Sequence, residues 1–319
     1  MLAVVGPTLG SHVSRNWIGE RTMLRRVVLV AGATSLGCVG GAVAQSGRYM
    51  EMDLGMTAAP ALVAHGSDND WSTKCDLIVN PLGLETGGEC DSVPPRTSWT
   101  NAFGRGNGIG AGMAIGHDWG AVRLEVEYRY RSKAYDDRSD TDIFDDVTLD
   151  KREQEIEQAY GEIDELRTHG AFVNVYYDFG PSASSWTPYV GVGVGGERAT
   201  LDYRSVWKRN DDPARISTFM DPLLRARVAG TTTVGHAPVS DSTPGYQLLA
   251  GLDYRLGEQA MLGLKLRWVD LEAFTSGETR WSQLRSHESS VGRDGDILYT
   301  VTTHDNGFRG LGVSLKYLF

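Results

Sequence analysis

Gly312-Val313-Ser314-Leu315-Lys316-Tyr317-Leu318-Phe319 ends the chain on an aromatic residue. Successive side chains of a strand point to opposite faces. Val313, Leu315, Tyr317 and Phe319 therefore share one face, while Gly312, Ser314 and Lys316 share the other. One face is apolar to the last residue and the other is small or charged. That combination fits the closing strand of a barrel with lipid outside and a polar interior. A soluble sheet shows the same alternation, so the decision rests on the residues upstream.

Seven more stretches carry the period-2 pattern. The strictest is the third, where Val122, Leu124, Val126, Tyr128 and Tyr130 alternate with Arg123, Glu125, Glu127, Arg129 and Arg131. A period of two excludes a helix, and ten residues suffice for a tilted spanning strand. In Tyr49–Thr57, Met50, Met52, Leu54 and Met56 oppose Glu51 and Asp53. Gly108–Gly116 sets Ile109, Met113 and Ile115 against glycines. Ala171–Phe179 sends Asn174, Tyr176 and Asp178 inward, and Val190, Val192 and Val194 alternate with Gly191, Gly193 and Gly195. Tyr246–Arg255 points Gln247, Asp253 and Arg255 inward; Leu262–Trp268 does the same with Lys265 and Arg267.

The connections are long at about 59–107, 132–168, 204–244 and 271–305, and short between them. The expected fold is therefore all-β: an eight-stranded antiparallel transmembrane β-barrel with four long extracellular loops and short periplasmic turns. A lipocalin-like soluble barrel has the same strand count but turns its apolar face inward. Trp119, Phe179, Trp186, Tyr254, Tyr317 and Phe319 collect near the short turns, and Tyr128, Tyr130 and Trp268 toward the loops, as two interfacial belts would. Within the second long segment, Lys151–Arg167 reads as a short helix.

The N-terminal region fits export to such a location. Residues 23–44 read as a signal peptide: Arg25 and Arg26 precede an apolar stretch, and Ala42-Val43-Ala44 forms a small-x-small cleavage site before Gln45. Residues 1–22 then read as a mis-called extension before Met23, and 45–319 as the barrel domain. The competing readings are a membrane-spanning helix and a lipoprotein signal at Cys38, where Ser35 stands in place of the usual Leu. Cys75 and Cys90 remain as a disulfide candidate in an oxidising compartment, with two free thiols as the alternative.

The 319 residues carry a net charge of −10, which argues against a nucleic-acid partner. The candidate lumen cluster is Glu51, Asp53, Arg123, Glu125, Glu127, Arg129, Arg131, Asp178, Asp253, Arg255, Lys265 and Arg267, with Lys316 beside it. Its mixed signs suit either a salt-bridged plug or an ion-conducting lumen; an eight-stranded interior is normally filled. Gly104-x-Gly106-x-Gly108-x-Gly110 and Gly191-x-Gly193-x-Gly195-Gly196 lack the strand-then-helix context of a phosphate loop. The acidic run 136–146 lacks the spacing of a calcium loop. Ser286-His287-Glu288-Ser289 and Thr303-His304-Asp305 supply triad residue types without a triad spacing. No cofactor, metal or catalytic residue is expected.

Asn174-Val175-Tyr176-Tyr177-Asp178-Phe179-Gly180, Trp186-Thr187-Pro188-Tyr189-Val190-Gly191-Val192-Gly193 and Gly251-Leu252-Asp253-Tyr254-Arg255-Leu256 resemble the small outer-membrane β-barrels of the opacity-protein and surface-antigen type, often called porin-family or OmpA-like barrels. The resemblance covers most of residues 45–319 and identifies barrel wall rather than activity. It implies a non-enzymatic protein of the Gram-negative outer membrane with a structural, adhesive or antigen-display role. The alternatives are a small channel and, third, a lipid A-modifying enzyme. The implied partners are outer-membrane lipid and lipopolysaccharide, the outer-membrane assembly machinery, and host or cell-surface ligands reached through the loops. Val313, Leu315, Tyr317 and Phe319 resemble the signal that the assembly machinery reads. Deleting Phe319 is expected to lower the amount of barrel in the outer membrane while refolding in detergent stays near wild type. Quantifying both for the truncated chain checks this, and normal membrane levels would count against it.

Overall fold

A computed structural model describes residues 47–70, 73–88, 90, 98–135, 138–143, 155–180, 184–286, 296–304 and 306–319. The signal-peptide and extension readings lie outside the described residues. The strands are β1 (Gly47–Asp68), β2 (Ser98–Asp118), β3 (Val122–Ala134), β4 (Arg138–Ile143), β5 (Ile156–Ile163), β6 (Leu166–Asp178), β7 (Trp186–Arg209), β8 (Thr232–Arg255), β9 (Ala260–Leu271), β10 (Phe274–Thr275), β11 (Thr279–Arg280), β12 (Leu298–His304) and β13 (Phe308–Leu318). An α-helix, α1, spans Pro222–Val228.

Eight of these strands close a ring in the antiparallel order β1-β2-β3-β6-β7-β8-β9-β13-β1. The closing seam pairs the two ends of the described chain, Tyr49 with Leu318 and Glu51 with Lys316. The expected fold class is therefore the observed one. Gly120 and Gly180 take φ of 102° and 100° in two of the short turns, where a side chain would be strained.

The strands differ from the expected ones in length. The 22 residues of β1 and 24 of β7 exceed the 9–11 that cross a bilayer. Along β7 the inward and outward parity never changes, but the chemistry of the faces exchanges. Val190, Val192 and Val194 are exposed below Gly195-Gly196; Arg198, Thr200, Asp202 and Arg204 are exposed above it, where Ala199, Leu201 and Tyr203 are buried. On β8, Tyr246, Leu248 and Tyr254 are exposed below, while Pro238 and Ser240 are exposed above with Ala237 and Val239 buried. The lower wall is thus apolar outside and charged inside. The upper wall is polar outside and apolar inside, as in the lipocalin-like barrel that the sequence set as the alternative.

Part of the long segments is therefore wall. Residues 59–68 and 98–107 extend β1 and β2, with register shifts at Ala59–Leu62 that reverse the parity of β1. Ala59 is buried before the shifts and Leu62 and Ala64 after them. The expected helix at Lys151–Arg167 is corrected: its described part holds strand β5, which pairs with β7, and the start of β6. Tyr160 opposite Val206 and Ile163 opposite Tyr203 use a strand register, and sheet pairing overrides the helical propensity of the glutamates.

Candidate functional site

The lower interior brings nearly all the predicted charges together. Among the described residues, seven bases, Arg123, Arg129, Arg131, Lys133, Lys265, Arg267 and Lys316, meet seven acids, Glu51, Asp53, Glu125, Glu127, Asp178, Glu197 and Asp253. Arg123 joins Asp178 at 2.8 Å and Asp253 at 3.1 Å, and lies over the rings of Tyr176 and Tyr189. Lys316 reaches Asp253 at 2.6 Å and Glu51 at 3.5 Å, and Lys265 also pairs with Glu51. Arg129 pairs with Asp53, and Arg131 with Glu197. Glu127 accepts from Arg267 at 2.8 Å, Asn174 at 3.0 Å and Gln247 at 3.1 Å. Glu125 accepts from the hydroxyls of Tyr49 at 3.0 Å and Tyr176 at 2.8 Å.

The network packs closely against the inner face of the wall. A Cβ on Gly112 would lie 2.2 Å from an Asp53 carboxylate oxygen, and one on Gly193 2.0 Å from the Asn174 amide oxygen. Gly106, Gly108 and Gly110 of the first run and Gly191, Gly193 and Gly195 of the second fall on the inner face of the wall, while Gly196 falls on the outer one. Of the predicted cluster, Arg255 departs: it is half-buried at the last position of β8, where its backbone N–H donates to Ser185 O at 2.9 Å. It stands at the rim because the strand ends there. Glu197 and Lys133 join the lumen without having been predicted. Both simply continue an alternation already visible, Glu197 after Gly195 and Lys133 after Arg131.

Above the charges the interior is aromatic. Trp281 stacks on Tyr299 with ring centroids 4.5 Å apart, and Trp99 packs against Trp281 and Trp207 at 5.7 Å. Each indole N–H of the Trp99–Trp281 pair has a partner: Trp99 Nε1 donates to Tyr203 Oη at 2.8 Å, and Tyr203 Oη donates to Asn101 Oδ1 at 2.6 Å. Trp281 Nε1 donates to Asp68 at 3.2 Å. Burial beside Asp70 pushes the Asp68 carboxyl up to about 7, although the indole N–H and Arg285 oppose the shift.

The four long loops meet above this layer. Cys75 and Cys90 form a disulfide that closes the first. Asn80 ties it internally, donating to Lys74 O and Leu84 O and accepting from Leu84 N. In the third loop, α1 starts at Pro222, and the Asp221 side chain accepts from Leu223 N at 2.9 Å, a helix N-cap. Val79 packs with Ile216, Phe219, Leu224 and Val228, joining the first loop to the third. Glu85 accepts from Met220 N and Asp221 N, and Arg227 donates to Val79 O. Buried Glu155, from the second loop, accepts from Ser217 and Thr218. Arg285, from the fourth, bridges Asp70 at 3.1 Å and Asp76 at 3.0 Å. The outer face of this head exposes Ile78, Leu82, Leu84, Met220 and Leu223.

The triad residue types are not assembled among the described residues. Ser286 Oγ accepts from Thr232 N at 3.0 Å, and Thr303 Oγ1 donates to Phe274 O at 3.3 Å. His287, Glu288, Ser289 and Asp305 lie outside the described residues. Of the acidic run, Asp140 and Asp142 lie on β4; no metal-binding group of His, Cys, Asp or Glu occurs among the described residues. Val313, Leu315 and Tyr317 lie on the exposed face of β13, and Phe319 follows it, with its N–H donating to Arg48 O at 3.0 Å.

The family model described as "Outer membrane protein beta-barrel domain" matches residues 29–296. No curated protein matches the chain. Among solved structures, the chain is similar to Neisserial surface protein A (NspA), with 12% identity, a TM-score of 0.35, and 85% of this chain and 97% of that one covered. It is similar to the outer membrane protein OprG from Pseudomonas aeruginosa at 12% identity and a TM-score of 0.42, covering 88% and 98%. A third similar structure is the outer membrane protease OmpT from Escherichia coli, at 7% identity and a TM-score of 0.36, covering 84% and 97%.

The interior generates two expected outcomes. Breaking one buried pair with Glu127→Gln should cost about 3–5 kcal/mol, since Arg267 is left without its carboxylate. The paired replacement E127L/R267L should cost less than either single change, read by urea unfolding in detergent micelles. The other outcome concerns pH. The carboxyl of Asp68 binds its proton more tightly folded than unfolded, so its contribution favours the fold at acid pH. That contribution fades as pH rises from the ordinary carboxylate range through about 7. Amide exchange of residues 62–68 should accelerate from pH 5 to pH 8 beyond the intrinsic chemical rate, by at most about 3 kcal/mol of protection. Asp68→Asn should flatten that dependence.

Proposed function

This chain belongs to the outer membrane protein β-barrel domain family, and on that premise we propose that it is a non-enzymatic display scaffold of the outer membrane whose working end is the head formed by its four loops. The observation that carries the reading is the double filling of the barrel under a cross-tied head. The lower interior is a web of seven acids and seven bases, most of them in ion pairs, and the upper interior is a packed aromatic layer. A path for ions would have to part both. The head above is stapled by Cys75–Cys90 and fixed by ion pairs between loops, so its exposed apolar residues hold one arrangement.

A preorganised surface binds with less ordering cost than mobile loops would. The role that fits is adhesion or antigen display toward a ligand on an apposed cell surface. The catalytic alternative lacks an assembled nucleophile and base among the described residues. The experiment has two arms. Purified barrel in planar bilayers should give no stable conductance, and a steady open level would favour the channel. Bacteria carrying L82S/M220S/L223S should attach to target cells several-fold less than wild type at equal surface amounts. Unchanged attachment would remove the head from the function.

A further inference from the structure

We infer that the barrel interior binds one small monovalent anion, a halide, between its charged and aromatic layers, in a site centred on Lys133, Arg131 and Thr57. The register of the ring lays the site out. On the inner face, Lys133 of β3 is paired with Gly108, Gly108 with Thr57, Thr57 with Gly310, and Gly310 with Arg267. Glycines flank Thr57 on both sides, so no side chain of this row stands between Thr57 and Lys133. Phe308, the next inward residue of β13 toward the loops, closes the site from the aromatic side. Arg131 Cζ lies 3.3 Å and Lys133 Nζ 5.1 Å from its ring centroid.

The charges here do not balance. Lys133 is buried, with neither an ion pair nor a hydrogen bond among the described residues. Its ammonium has only the face of Phe308, which it shares with a second cation. Glu197 gives Oε2 to Arg131, and its Oε1 takes no donor, so Lys133 does not reach it. Asp53 and Glu127 are held by Arg129 and Arg267. Glu125, which accepts from two tyrosine hydroxyls, lies eight residues back along β3, about 26 Å away. Arg131 and Lys133 against Glu197 leave one positive charge, and an uncompensated ion in such an interior is strongly destabilising. A monovalent anion removes that cost.

The unused hydrogen-bonding groups point to the same ligand. Arg131 Nη1, Thr57 Oγ1 and Thr168 Oγ1 are buried without a partner among the described residues, and Thr168 is paired with Arg131 across β3 and β6. Each can donate, as can the Lys133 ammonium, so the set lacks an acceptor. There is also room. A Cβ on Gly310 would meet nothing nearer than Met56 O at 3.6 Å, with Arg267 Cβ at 3.7 Å and Thr57 Cγ2 at 3.8 Å. At Gly112 and Gly193 the corresponding space is filled by side-chain oxygens. The packed layers above and below enclose the site, so the ion enters as the barrel folds, and its concentration is linked to stability.

The test uses the full-length barrel in zwitterionic detergent, with bromide as the probe. Crystals grown from protein refolded in sodium bromide, read at the bromine absorption edge, should show one anomalous peak between Lys133 Nζ and Thr57 Oγ1. Reversible unfolding is then followed at constant ionic strength while bromide replaces gluconate. Above saturation the folding constant should rise by about tenfold for each tenfold of bromide, the linkage of one bound ion. K133M should lose both the peak and the rise. Gly310→Ala, which fills the space and keeps both bases, should weaken bromide by about tenfold or more, the loss of one charge-assisted contact. No peak at this place in the wild-type barrel would overturn the site, whether water or an uncharged amine takes its place. An equal bromide response in K133M would overturn it as well. Should K133M fail to refold, Gly310→Ala decides alone, and a response equal to wild type would sink the inference.

Discussion

Charge inside a ring of eight strands has to be paired, and most of the structure follows from that requirement. An unpaired ion in so narrow an interior costs several kcal/mol. The lower interior meets this with seven acids and seven bases, most of them in ion pairs between strands, while Lys133 lies over the Phe308 ring and Glu125 accepts from two tyrosine hydroxyls. Glu51 on β1 holds Lys265 on β9 and Lys316 on β13; Arg123 on β3 holds Asp253 on β8. Arg123–Asp253 and Arg267–Glu127 span the lumen, whereas Glu51–Lys316 joins two neighbouring strands. They fix which strand faces which, and they occupy the lower interior. The net charge of −10 therefore belongs to residues outside this neutral cluster.

The second constraint is that one strand meets two solvents. Below Gly196 the outside of β7 lies in lipid and the interior can hold charge. Above it the outside lies in water, and the interior must be apolar to give the extension any stability. The exchange takes place without a change of parity on β7 because the glycines let either face take over. On β1 it coincides with the shifts around Pro60, where proline has no N–H to give to the ladder. The boundary is thus a physical seam, and Trp268, Arg105 and Arg309 gather on it.

The membrane half was legible from the sequence because its alternation is strict and its two faces differ in kind. The Val122–Arg131 stretch alone determines a face for each of its residues, and the closing pairing of β1 with β13 is the one that an eight-stranded barrel requires. The outer half was hidden by the same rule. Arg198, Thr200, Asp202 and Arg204 look like loop polarity when the outside is assumed to be lipid, yet they are the wet face of a continuing strand. Leu201, Tyr203 and Trp99 were the available signal, apolar residues within segments read as polar. The glutamates of 153–162 favour a helix locally, and it is pairing with β4 and with β7, more than forty residues downstream, that makes Ile156–Ile163 a strand. The two cysteines showed a staple but not what it holds.

What it holds explains how the described parts of these loops are tied to one another. Closing the loop of 15 residues between Cys75 and Cys90 removes roughly 3 kcal/mol of chain freedom from the alternative states. Alone that would leave a tight but swinging loop. Val79, carried by the closed loop, then packs on Phe219 and Leu224 of the third loop, and Asp76 engages Arg285 of the fourth. Glu155 of the second loop satisfies the backbone of Ser217 and Thr218 beneath them. The described part of each loop is tied to one that starts at a different strand pair, so these parts of the head are anchored to the ring below. Leu82, Met220 and Leu223 are then held out in water by a structure with no freedom to fold them away. An exposed apolar cluster is retained against the hydrophobic effect only when the surrounding framework forbids its collapse, and here the framework is the staple, the interloop ion pairs and the closed barrel acting together.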